Sequence, residues 1–332
     1  MTISTKKKQD INNKMKKRAL ITGITGMCGS HLAELLLSKD YEVHGVLLPA
    51  ATPSTQNIDH ILNKITLHDG DVNDYASMWN IIYKVKPQEI YNLAAQSHAG
   101  KSFKIVDETI RTCGNAVGHL LDIIRQIDPT IKMWQASTSE FLDMKTPLPW
   151  NESTPYKPSN PYGAGKLMAH HLVALYREAY GLHVCSGIMF NNESPRRGED
   201  FVTRKITLAV ARIKAGRQKE LLLGNIEAQR DWGYSPEYME AAYLMLQQEK
   251  PKDYVIATGE THSVREWLEA AFEAVGLNAY DYYKQDERYM RPSDIPEIRG
   301  DSSKIKEELG WEAKTKFRDL IKIMVAEDLK LQ

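Results

Sequence analysis

The stretch Arg18-Ala-Leu-Ile-Thr-Gly-Ile-Thr-Gly-Met-Cys-Gly29 decides the fold. Arg18 to Thr22 reads as a short buried strand. Gly23, Gly26 and Gly29 then follow at three-residue spacing and lead into a helix over Ser30 to Ser38, with His31, Leu32, Leu35 and Leu36 setting its period. Glycines in this arrangement give a tight turn, let the backbone approach a phosphate closely, and aim a helix N-terminus at an anion. The spacing gains its meaning from its place between a first strand and a first amphipathic helix.

Outward from that turn, strand and helix alternate. Glu42 to Leu47 is a second strand, Asp69-Gly70-Asp71-Val72 a turn, Tyr75 to Val85 a helix, and Glu89 to Asn92 a strand leading to Leu93-Ala-Ala-Gln-Ser97. A helix from about Val106 to Gln126 precedes the strand Ile131 to Ala136. Pro161 suits the first position of the next helix, with Ser159 or Asn160 as its cap, and Gly181 stops that helix after Tyr180. Its apolar side, Met168, Leu172 and Leu175, reads as packing, and His183 to Phe190 as another strand. The alternation predicts an α/β protein: a Rossmann-type doubly wound parallel sheet, with a smaller, discontinuous C-terminal substrate-binding lobe.

Composition bounds the function. The 332 residues contain 42% hydrophobic residues, enough for a large packed core, and 43 basic side chains balance 43 acidic ones. A net charge near zero favours neither nucleic acid nor an anionic membrane as partner. Cys28, Cys113 and Cys185 are odd in number and widely spaced, which predicts buried free thiols and a reducing, cytoplasmic setting. The ten histidines lack metal-ligand spacing, and no metal is expected. Residues 1–17 are polar and lysine-rich and read as a disordered tail; the apolar run after them is far too short for a signal peptide.

Candidate chemistry lies between Gln135 and His170. Tyr162 and Lys166 stand at i and i+4, one above the other on a helix, where an ammonium near a phenol is expected to lower its pKa toward that of a usable base. Thr138 and Glu140 follow the strand ending at Ala136, and strand C-termini are where open α/β sheets bind ligands. Tyr280 and Lys284 repeat the Tyr-x-x-x-Lys spacing, but in a polar segment with no strand-end threonine before it, and the repeat reads as accidental. Beyond Asn191, arginines 196, 197, 204, 230 and 291 gather in loops and a helix start; collectively they read as an anion clamp, although surface pairing is the better reading for any single one. Residues 301–332 read as amphipathic helix, with Trp311 anchoring it to the core.

The runs Tyr91 to His98, Ala136 to Glu140, Asn191 to Gly198, Phe201 to Ile206, Arg230 to Gly233 and Val255 to Glu260 resemble the GDP-mannose 4,6-dehydratase family, within the extended short-chain dehydrogenase/reductases. The resemblance spans about residues 19–329 and implies a hydro-lyase with tightly bound, recycled NAD or NADP. It implies C4 oxidation of a GDP-sugar, GDP-mannose or a relative such as a GDP-manno-heptose, then loss of water across C5/C6 and hydride return to C6. Thr138, Glu140, Tyr162 and Lys166 would be catalytic. Gly23, Thr25, Gly26, Met27, Cys28, Gly29, Asp71, Val72, Leu93, Ala94, Ala95, Gln96, Ser97, Asn192 and Arg197 would join Tyr162 and Lys166 around the cofactor. Ser97, Thr138, Asn191, Lys205, Gly224, Arg230 and Arg291 would hold the substrate.

The expected division is 18–190 plus about 233–262 for the dinucleotide and 191–232 plus 263–332 for the nucleotide sugar. Leu47-Leu-Pro-Ala-Ala51 stands where the family carries arginines that grip a 2′-phosphate, so NAD is favoured over NADP. Met27-Cys28 and Asn192 also depart from the family's Gln-Asp and histidine. A homodimer through the helix carrying Tyr162 and its neighbour is expected, with a tetramer as alternative. The competing reading is a GDP-sugar C4 oxidoreductase or epimerase on the same scaffold, and Glu140 discriminates against it.

Overall fold

The computed structural model describes residues 16–49, 54–290 and 296–332; residues 1–15 of the expected N-terminal tail, Ala50, Ala51 and Arg291 lie outside the described residues. Its centre is a seven-stranded, wholly parallel sheet. In chain order its first half contains β1 (Arg18–Thr22), α1 (Met27–Ser38), β2 (Glu42–Leu47), β3 (Ile65–Asp69), α2 (Tyr75–Val85) and β4 (Glu89–Asn92). After α3 (Ala99–Ser102), α4 (Val106–Ile110) and α5 (Ala116–Ile127) come β5 (Lys132–Ala136), α6 (Pro161–Tyr180) and β6 (Val184–Met189). The spatial order β11-β6-β5-β4-β1-β2-β3, with β11 (Tyr254–Ile256) added late, reverses direction between β1 and β4. That reversal places a crevice above the C-terminal ends of those two strands.

Both faces of the sheet are covered, and its strands are buried along most of their length. One face packs Leu32, Ala33 and Leu36 of α1 with Tyr238, Met239 and Ala242 of α8 (Ser235–Leu246). The other packs Ile82 of α2, Leu120 and Ile124 of α5 and Val173 of α6. A separate core joins α7 (Val202–Lys214), β8 (Leu221–Leu223), α9 (Val264–Glu273) and α11 (Phe317–Leu329) around Trp232, Trp267 and Phe317. Short two-stranded ladders complete this part: β7 (Asn191–Glu193) with β10 (Trp232–Tyr234), β9 (Gln229–Arg230) with β12 (His262–Ser263), and β8 with β13 (Tyr283–Gln285).

At the junction Asp231, fully buried, accepts hydrogen bonds from the amides of Thr258, Gly259 and Gly300 and from the Thr258 hydroxyl. Burial pushes its carboxyl above the ordinary value, and these donors pull it back.

Four expectations change. Helix α1 starts at Met27 and includes Gly29, because a side chain there would collide with the Gly23 carbonyl that the first turn lies against. The edge strand β3 is additional to the elements expected from the sequence. The C-terminal segment is two helices, α10 (Ser303–Leu309) and α11: Gly310 ends α10 at φ +68, and Trp311 sits in the connection, buried, its indole donating to the Glu237 carbonyl at 2.9 Å. On α6, Leu172 packs against the sheet's cover, whereas Met168 and Leu175 remain exposed. Asn160 is the cap of that helix; its side chain accepts from the Gly163 amide, and Gly181 closes the other end.

Candidate active site

The reversal point opens into a cleft of about 1220 Å³. A single drug-sized ligand occupies roughly 300–1000 Å³ of pocket, so this cleft has room for two nucleotides end to end. Every site residue expected from the sequence lines it, except Arg291, which lies outside the described residues. Gly23, Thr25, Gly26, Met27, Cys28 and Gly29 form one wall, with Asp71 and Val72 beyond β3, and Leu93 to Ser97 extend from the end of β4. Asn191, Asn192 and Arg197 follow β6, and Lys205, Gly224 and Arg230 come from the second core's elements.

The glycine-rich wall fits a dinucleotide pyrophosphate. Gly23 takes φ +68, and a Cβ on it would stand 2.9 Å from the Ala94 amide nitrogen. Gly26 caps α1 with no side-chain hydrogen bond, so the helix's first amides have no side chain in front of them. Cys28 and Asn192 touch: the thiol donates to Asn192 Oδ1 at 3.1 Å. Burial pushes the Cys28 thiol up, so it stands there as a neutral donor.

In the centre of the cleft, Thr138 lies two residues beyond β5 and its hydroxyl accepts from the Glu140 amide at 3.3 Å. Tyr162 lies beside Thr138, whose side chain pulls the phenol's pKa down. Glu140 Oε2 accepts from Asn160 Nδ2 at 2.9 Å. Lys166, buried, donates to the Ala136 carbonyl at 2.7 Å, and its nitrogen lies 5.9 Å from the centre of the Tyr162 ring.

These positions correct one electrostatic expectation. Burial pushes the Tyr162 phenol above its ordinary value, and Cys113 adds to the rise; the Thr138 side chain opposes it, Glu140 raises it further, and Arg197 pulls it down. Lys166 reaches the strand end instead of the phenol, and burial lowers its own pKa.

The anion clamp is also smaller than expected. Arg196 pairs with Glu34, Arg197 with Glu193 at 2.7 Å, and Arg204 with the buried Asp328 at 2.7 Å. Of the five arginines, 197 and 230 line the cleft among the described residues. The second Tyr-x-x-x-Lys is a surface feature: Tyr280 bonds Arg265 and Glu269, and Lys284 pairs with Glu220. Two cleft contacts carried no signal in the sequence. Tyr289 lies under Lys205, whose nitrogen is 3.4 Å from the ring centre, and Asn160 holds Glu140 as well as capping α6.

Among the described residues, no group of three or more His, Cys, Asp or Glu side chains is arranged to hold a metal ion, and no helix is long and apolar enough to cross a membrane. Cys113 and Cys185 are buried and Cys28 is half-buried, all as free thiols.

The sheet order, the glycine turn and the Thr138, Tyr162 and Lys166 grouping define an extended short-chain dehydrogenase/reductase. Solved structures share the fold. A UDP-glucose 4-epimerase from Thermotoga maritima superposes with a TM-score of 0.84 at 24% identity over 95% of this chain and 99% of its own. A dTDP-glucose 4,6-dehydratase from Bacillus anthracis does so at 0.82 and 23%, over 95% and 97%.

Sequence comparison is more specific. The family model described as GDP-mannose 4,6 dehydratase matches residues 20–324. GDP-mannose 4,6 dehydratase 1 of Arabidopsis thaliana is 50% identical, with 96% of this chain and 91% of the relative covered. The Homo sapiens enzyme is 42% identical over 96% and 93%. The chain belongs to the GDP-mannose 4,6 dehydratase family.

Proposed function

We propose that the chain converts GDP-mannose to its 4-keto-6-deoxy derivative. The observation that carries this reading is the convergence of Thr138, Glu140, Tyr162 and Lys166 in one cleft, with a carboxylate two residues beyond the strand-end threonine. A bound nicotinamide dinucleotide would supply the hydride acceptor for C4 and return that hydride to C6.

The protein's side chains divide the proton work. Thr138 and Tyr162 hold the C4 hydroxyl, and Tyr162 takes its proton as the ketone forms. The ketone acidifies C5–H, and Glu140 removes that proton. The electron pair becomes the C5=C6 bond while the C6 hydroxyl leaves, taking the proton from Glu140 to depart as water. C5 is then reprotonated from solvent as hydride reaches C6, and the proton on Tyr162 returns to solvent. Lys166, tied to the Ala136 carbonyl, fixes the strand end and would lie beside the cofactor's ribose. Arg230 and Lys205 line the part of the cleft that would take the substrate's pyrophosphate, and Asn191 and Gly224 lie on the same wall.

NAD is the favoured cofactor. The end of β2 continues into Leu48, which is exposed and lines the cleft, and the neighbouring lining, Val46, Gly70 and Asp71, offers no cation to a 2′-phosphate. The exposed Met168, Leu175, Phe103 and Val106 support a homodimer across α6 and α4; Leu175→Glu should then yield monomer by analytical ultracentrifugation.

The deciding experiment is incubation of the cofactor-loaded protein with GDP-mannose, followed by mass spectrometry. Loss of one water with no net change in reduced cofactor is expected. A product that retains its C6 oxygen would refute the reading.

A further inference from the structure

Asn160 stands immediately before α6, and its side chain makes two close contacts in opposite directions besides a longer one, at 3.5 Å, from Nδ2 to Ser159 Oγ. Its Oδ1 accepts from the Gly163 amide at 2.8 Å, and its Nδ2 donates to Glu140 Oε2 at 2.9 Å. The donor end must face the carboxylate and the acceptor end the amide, since the reverse would pair like with like at both contacts. Close approach makes the bridge possible: a Cβ on Gly163 would lie 2.5 Å from the Glu140 carbonyl oxygen, so the helix start presses against the Glu140 backbone. One side chain therefore ties the carboxylate to the helix that carries Tyr162, two residues further on.

We propose that Asn160 is a positioning residue for water elimination, holding the Glu140 carboxylate against rotation so that its other oxygen faces the sugar's C5. This rests on the assignment of Glu140 as the C5 base. A glutamate free about its side-chain torsions spends most of its time away from a reacting proton, and a charge-assisted hydrogen bond from a capped helix removes that freedom. C4 oxidation uses Thr138 and Tyr162 and does not need the bridge.

Asn160→Ser and Asn160→Asp both keep an oxygen able to cap α6. Serine is too short to reach Glu140, and aspartate presents an acceptor where a donor is required. For each variant, kcat and KM for GDP-mannose, the first-turnover absorbance of reduced cofactor, and release of deuterium from C5-labelled substrate are measured on the cofactor-loaded protein. We expect dehydration kcat and deuterium release to fall about tenfold or more. KM should stay within about twofold and the oxidation burst should remain.

Wild-type dehydration in both variants overturns the proposal. So does a parallel fall in oxidation and elimination, which marks a structural role only. Glu140→Gln separates the two ideas. If it dehydrates at the wild-type rate, the assignment of Glu140 fails; if it is inactive while Asn160→Asp is fully active, only the role of Asn160 falls.

Discussion

Gly29→Ala tests the phosphate cradle at its tightest point. A Cβ at Gly29 would stand 2.7 Å from Ile24 Cα and 2.8 Å from the Gly23 carbonyl carbon, besides colliding with the Gly23 oxygen. All three neighbours are backbone, so no side chain can swing away. Restoring a contact of about 3.5 Å to the Gly23 oxygen, the nearest of the three, requires the first turn of α1 to retreat by more than about 1 Å. A retreat of that size lengthens an amide-to-phosphate bond of ~2.9 Å beyond useful range. Losing one charge-assisted bond costs about 1.5–3 kcal/mol, a factor of roughly 10–100 in Kd.

Two controls calibrate the effect. At Gly26 the nearest foreign atom to a Cβ is the Gly23 oxygen at 3.2 Å, so alanine there should weaken binding less. At Gly181 a Cβ meets nothing within 4 Å but φ is +66, so alanine should cost about 1–2 kcal/mol of stability and leave affinity alone. Isothermal titration of the dinucleotide into cofactor-free protein, alongside thermal melts, reads both quantities. Equal affinity for Gly29→Ala and wild type would refute the reasoning, as would equal losses at Gly29 and Gly181.

Other outcomes follow from the same contacts. Tyr162 acts as a base only when ionised, and burial raises its pKa; the active limb therefore moves to higher pH, and kcat/KM should climb through the alkaline range, whereas a plateau from neutrality onward would contradict it. Burial holds Asp328 at about 6 against an ordinary 3.8, so the native state binds that proton more tightly than the unfolded chain. Its contribution should fall as pH rises between those values, and Asp328→Asn should flatten the dependence in melts. Arg204→Met leaves Asp328 buried without its cation and should cost about 3–5 kcal/mol near neutral pH in urea unfolding, while Arg204→Met with Asp328→Leu should recover most of it. Trp311→Ala empties a buried site and should cost about 3–5 kcal/mol by the same measurement.

The glycine turn, the alternation of elements and the strand-end threonine were legible because each is a local pattern with a local cause. Strand β3 was less so: Ile65–Asp69 is short and half-covered at the sheet edge. The break at Gly310 hid behind Trp311, since a buried aromatic keeps the same apolar signal in a helix or in a connection. Two of the arginines, Arg196 and Arg204, misled because their partners are remote in sequence. Glu34 and Asp328 neutralise Arg196 and Arg204 across the fold, and residue type cannot reveal that. Asn160 was legible as a cap, but its second bond needs Glu140 beside the helix start, which only Gly163 allows.

Asp231 gives the cleft walls unequal hydrogen-bonded support. By gathering the amides of Thr258, Gly259 and Gly300 onto one carboxylate, it clamps the chain beside Arg230, whereas Tyr289 rides on an exposed loop over Gly224. Selection for a different sugar nucleotide can therefore work on the loop around Tyr289 while the anchorage next to Arg230 stays intact. Laboratory libraries aimed at new donors should begin at the loop and leave residue 231 unchanged.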